Sequence, residues 1–147
     1  MDKKDFYART MHTPDDPARA RRRAALRETS KALLPLHQAL ITAAKSDYVE
    51  ATSIQATPTQ MVQLLMQDPF FAWLKPVTAL IVDIDEMARV DFQPSDVAAI
   101  ADRIDRLFSS GAESAFAEKY VPLLQRDVNV AIAHAALRQE VRKLREE

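Results

Sequence analysis

The sequence predicts an all-α protein, a bundle of four long helices plus one short one, and three observations carry that prediction. Glycine occurs once in 147 residues, prolines follow capping residues at four places, and apolar side chains recur at helical spacing between them. A single glycine leaves almost no position for the positive φ angles that tight hairpins, bulges and phosphate-cradling loops need. P-loops, dinucleotide fingerprints and Gly-x-Ser-x-Gly elbows are excluded on the same ground. The chain has no cysteine, so disulfides, zinc knuckles and thiol nucleophiles are excluded as well. With 48% hydrophobic residues and 20 basic against 21 acidic ones, it has the apolar content of one folded domain and too little net charge for a disordered chain.

Residues 1–15 are polar and aperiodic and read as a flexible N-terminal segment ahead of a single helical-bundle domain over 16–147. Asp16-Pro17 opens the first helix, with Asp16 as N-cap and proline at the first helical position, where its missing N–H costs nothing. That helix runs to about residue 54. Thr57-Pro58-Thr59-Gln60 forms a capping box and starts a short helix over 58–67. Asp68-Pro69 starts the third, over 69–90. Its apolar residues, from Phe70, Phe71, Trp73 and Leu74 to Leu80, Ile81, Val82 and Ile84, surround it, which predicts the central place in the bundle.

Gln93-Pro94-Ser95-Asp96 starts the fourth helix, over 94–110, with Ser95 as the alternative cap. Val97, Ile100, Ile104 and Phe108 share one face of it, and Asp102, Arg103, Asp105 and Arg106 the opposite one. Gly111 falls where a left-handed C-terminal residue is wanted. The fifth helix, over 112–146, carries the stripe Phe116, Tyr120, Leu123, Val130, Leu137, Val141 and Leu144. Pro35, Pro76 and Pro122 lie inside these patterns and predict kinks, each costing about 3 kcal/mol in a straight helix.

At 1.5 Å per residue the first and last helices are about 50–55 Å long and the third about 33 Å. The ends of the long pair must pack on each other, protrude, or pack on another subunit. Antiparallel pairing brings Arg19–Lys31 near residues 138–147. No apolar run follows Met1, and the stretch Pro69 to Val82, interrupted by Lys75, is too short for a membrane span. A soluble, cytoplasmic protein with no membrane contact is the expectation.

Three groups are candidates for function. The first is a basic run, Arg19, Arg21, Arg22, Arg23, Arg27 and Lys31, in which Arg19-Arg23-Arg27-Lys31 forms an i, i+4 ladder. Up to Lys31 the chain holds nine basic and five acidic residues; beyond it, eleven and sixteen. Such a ladder suits an acidic partner or phosphates, although the aromatic interleaving of single-strand binders is missing. The residues singled out for partner binding are Arg19, Arg22, Arg23, Arg27 and Lys31. The plain alternative is a solvated helix surface.

The second group is Asp83, Asp85 and Glu86, late in the most apolar helix. Buried carboxylates there need partners or become protonated, which suits acid–base or ligand chemistry. The plain alternative pairs Glu86 with Arg89 and one Asp with a cation across the bundle. The third group is His37 and His134, on core-facing stripes of the first and last helices, with Asp127 seven residues before His134. These residues with Trp73 make up the candidate ligand set: His37, Trp73, Asp83, Asp85, Asp127 and His134. Neither Glu-x-x-His nor His-x-x-x-His occurs, so no metal site and no cofactor are predicted. His12 carries no signal.

The run Asp68-Pro69-Phe70-Phe71-Ala72-Trp73-Leu74-Lys75-Pro76, continued by Leu80-Ile81-Val82-Asp83-Ile84-Asp85-Glu86 and preceded by Leu36-His37, resembles a segment of small bacterial helical proteins. The resemblance covers residues 33–90 and implies an all-helical domain. It brings no activity and no functional residue. The sequence as a whole reads as a non-enzymatic interaction protein that forms a homodimer, or binds another protein, through its first and last helices. A small-molecule- or metal-binding bundle built on the inward His and Asp residues is the alternative. Nucleic-acid binding through the Arg-rich first helix ranks third.

Overall fold

The structure, a computed structural model, describes residues 15–146. All of the N-terminal segment but Asp15 lies outside the described residues, as does His12. The elements are α1 (Pro17–Thr52), α2 (Pro58–Gln67), a 3-10 helix (Pro69–Leu74), α3 (Lys75–Arg89), α4 (Pro94–Phe108), α5 (Ala115–Arg126) and α6 (Val128–Leu144). No strand occurs among the described residues, and the all-α class follows.

The helix starts follow the sequence closely. Asp16 accepts the Arg19 amide at 2.7 Å, and Thr57 with Gln60 closes the capping box in both directions. Asp68 accepts the Phe70 amide at 2.9 Å. At the fourth start Gln93 is the cap rather than Ser95, and the Asp96 carboxylate accepts the Gln93 amide at 2.8 Å.

Two of the five expected segments are divided. The third begins as a 3-10 helix, and Pro76 sits at the start of α3, where the absent N–H is not needed, instead of kinking a helix interior. The fifth breaks at Asp127, not at Pro122. Asp127 ends α5 and caps α6 by accepting the amides of Asn129 and Val130, while Pro122 is carried inside α5. Only α1, 36 residues and about 54 Å, is long, and it runs unbroken through Pro35. Gly111 has no positive φ; the left-handed residue is Ser53 at φ 61°, which closes α1 by donating its amide to Val49.

The central helix is α1, not the third segment. It packs along α6 on one side and along α3 and the 3-10 helix on the other. Leu26, Leu33, Leu36 and Leu40 are fully buried along it. Helix α3 buries only the stripe Val77, Leu80, Ile84 and Ala88 and turns Thr78, Ala79, Val82 and Asp83 outward. The overhang of the long helix is used within the chain. Its N-terminal end lies beside the C-terminal end of α6, where Arg21, Arg22, Glu28, Glu140 and Lys143 line one groove. Its C-terminal end meets the aromatic pair Phe70 and Phe71 through Tyr48.

A second aromatic cluster adjoins the first through the 3-10 helix, which carries both Phe71 and Trp73. Trp73 lies 5.8 Å from Phe116, centroid to centroid, and Phe116 stacks on Tyr120 at 5.1 Å. Helix α4 is held between its neighbours by ion pairs: Arg103 to Asp83 of α3, and Asp102 and Asp105 to Arg145 and Arg138 at the end of α6.

Leu33→Ala, at a fully buried site on α1, is expected to cost about 2–5 kcal/mol of unfolding free energy, whereas Ile132→Ala, on the open face of α6, stays within about 0.5 kcal/mol. Chemical denaturation of the two variants checks this.

Candidate functional site

Helices α1 and α3 run antiparallel, and three polar contacts set their register. Arg23 donates to the carbonyls of Ala88 and Val90 at the end of α3. One heptad on, the Ser30 hydroxyl donates to Asp85 at 2.5 Å. Another heptad on, His37 Nε2 and the Thr78 hydroxyl are 3.3 Å apart.

Arg23 is the most consequential of these. It is 5% exposed and pairs with Asp15 at 2.8 Å, and its guanidinium lies 5.0 Å from the centre of the Phe92 ring. Arg19 completes the arrangement, donating to the Phe92 carbonyl at 2.7 Å and lying 3.6 Å from Asp91. The last carbonyls of a helix have no partner within it and carry the negative end of its dipole. Two arginines of α1 serve that end of α3. Lys31 pairs with Glu28 at 3.2 Å, Arg22 lines the groove beside α6, and Arg27 lines a shallow pocket with Asp85 and Arg89. The ladder is therefore interrupted: of its four cations, Arg23 lies inside the protein.

The six candidate ligand residues do not converge. His37 and Asp83 line one groove, but Asp85 faces Ser30 and Arg27 on the neighbouring side. Asp83 pairs with Arg103 at 2.6 Å, and Glu86 with Arg89. Asp127 is committed to the α6 cap, and Trp73 to Phe116. His134 belongs to the second aromatic cluster, its Nδ1 2.6 Å from the Tyr120 hydroxyl. Among the described residues no group of three or more His, Asp or Glu side chains is placed to hold a metal. No helix there is long and apolar enough to cross a membrane.

The groove that His37 and Asp83 share has a volume of about 690 Å³ and is lined mainly by apolar side chains. Its floor is Phe71 and Leu74. One wall is Val62, Leu65 and Met66 of α2, and the other is Thr78, Ala79 and Val82 of α3. Three exposed apolar side chains line it. Val62 is 56% exposed, Met66 69% and Val82 57%, and Leu34, at 53%, shares the α1 stripe of Ser30, His37 and Ile41 next to it. Lys75 and Asp83 mark the two ends of the α3 wall.

Sequence reasoning did not identify this groove. Its signals were present: α2 carries an apolar stripe on a helix too short to bury it, and α3 is apolar on more faces than one neighbour covers.

No protein family, curated protein or solved structure matches the chain.

Both half-buried histidines have their pKa lowered from the ordinary 6.5 by burial, and His134 also by the nearby Arg138 charge. Burial raises the Tyr120 pKa, so its hydroxyl stays protonated beside His134 Nδ1. Folding thus favours the neutral imidazoles, and the unfolded chain binds more protons below pH 6.5. Unfolding free energy is expected to fall as pH drops from 7 through 6.5 toward 5. The double variant His37→Gln/His134→Gln is expected to lose that slope, as read from denaturation curves across the range. Arg23→Ala, which removes the donor to two carbonyls and the cation beside Asp15, is expected to cost about 3–5 kcal/mol, against about zero for the exposed Arg27→Ala, by the same measurement.

Proposed function

We propose that this chain is a non-enzymatic interaction protein that self-associates through the apolar groove between α1, α2 and α3. The observation that carries the reading is the gathering of Val62, Met66 and Val82, all more than half exposed, around one concave and mostly apolar surface. A contiguous apolar patch of this kind, rimmed by charge, is characteristic of a protein–protein contact. The seam between the first and last helices supports the reading less well, because those helices pack on each other within the chain. The groove also recruits α2, which buries only Met61 and gains most from being covered.

Light scattering over a concentration series tests this. The wild-type protein is expected to reach twice the 16.6 kDa mass of one chain. Val82→Glu, at an exposed position that leaves the fold intact, is expected to weaken association about tenfold or more, because a charge must then be desolvated on contact. Single-chain mass at every concentration, or equal association by Val82→Glu, overturns the proposal.

A further inference from the structure

Resting on that reading, we infer that the second copy docks isologously, with α3 antiparallel to its mate and a two-fold axis passing beside Ala79, so that Lys75 of each copy faces Asp83 of the other.

The argument comes from the outward face of α3. Lys75 and Asp83 stand at opposite ends of the groove wall, about 12 Å apart along the helix, and Ala79 is midway between them. In a two-fold contact residue i meets residue j and j meets i, so a helix crossing its own copy is paired by reflection about the axis. An axis at Ala79 brings Lys75 to Asp83 twice. An axis one turn toward the C-terminus sets Asp83 against Asp83, and one a turn toward the N-terminus sets Lys75 against Lys75. Opposite charges across a contact favour one register, and like charges exclude others.

Three further features agree. Ala79 is exposed and small, and small residues at a helix crossing let two backbones approach closely. The same pairing lays the exposed Pro76 on Val82 of the mate. At the level of the groove, the antiparallel arrangement sets the wall near the start of α3, formed by Val62 and Met66, against the mate's Val82. The three exposed apolar side chains that line the groove are thereby covered. Asp83 already holds Arg103, and with one oxygen still available its half-exposed carboxylate links Arg103 to Lys75 of the mate.

The absence of cysteine gives a clean test. Ala79→Cys places one thiol from each copy at the axis, and Ile132→Cys places them on the exposed face of α6. Held together at an effective concentration of order mM, the Ala79→Cys thiols of a protein at about 10 µM are expected to form an intermolecular disulfide about a hundredfold faster than those of Ile132→Cys. Charge variants supply the second measurement. Lys75→Glu alone and Asp83→Lys alone each set like charges opposite and are expected to associate less than wild type, while an equimolar mixture of the two is expected to form the mixed dimer, in which both pairs attract. If wild type dimerises but Ile132→Cys cross-links faster, or mixing the charge variants restores nothing, this register is overturned while self-association stands. If wild type keeps the mass of one chain at every concentration, the underlying reading fails and the register with it.

Discussion

The arrangement of this bundle depends on a buried guanidinium. Arg23 leaves α1, crosses to the last carbonyls of α3, covers the Phe92 ring and takes up the charge of Asp15. A helix end inside a protein needs donors, and α3 has none of its own after Val90, where the chain turns away extended. Supplying them from α1 fixes both the direction and the register of the two helices. Ser30 then falls opposite Asp85 and His37 opposite Thr78, and Leu34 and Val82 stay exposed. The apolar groove follows from that register.

The buried arginine also shows where sequence reasoning stops. Arg19, Arg23, Arg27 and Lys31 are evenly spaced, and nothing in that spacing distinguishes the cation that enters the interior from those that stay in water. The distinction lies in two carbonyls more than sixty positions away. By contrast Asp16, Thr57 and Asp68 could be read directly, because an N-cap bonds to amides two or three residues along and needs no tertiary partner. Asp127 was of the same kind and was equally legible. Its membership of an apolar-stripe argument with His134 hid a local role, and Pro122 drew attention to the wrong point of the last segment.

Apolar content misdirected the reading of the third segment in a similar way. A helix rich in large apolar residues all round is ordinarily central, yet α3 keeps Val82 and Ala79 at the surface while the more polar α1 runs through the middle. Length decided the matter: α1 packs along α6, α3 and the 3-10 helix, and Leu26, Leu33, Leu36 and Leu40 are fully buried along it. The charged face of α4 lies opposite its apolar stripe, and each of its ion pairs contributes little in exposed positions. Their effect is positional, linking α4 to α3 through Arg103 and to the end of α6 through Asp102 and Asp105.

Helix α2 is joined to the rest through one buried methionine and the half-buried Leu64 and Leu65, with its first turn secured by its own capping box. Elements anchored so lightly open at a free-energy cost well below that of global unfolding. In amide hydrogen exchange such a segment forms the least protected cooperative unit, able to swing out and return while the leucine column of α1 stays closed. The protein thus carries a hinged wall of its own, and whatever settles against Phe71 and Leu74 sets how much of the time that wall is shut.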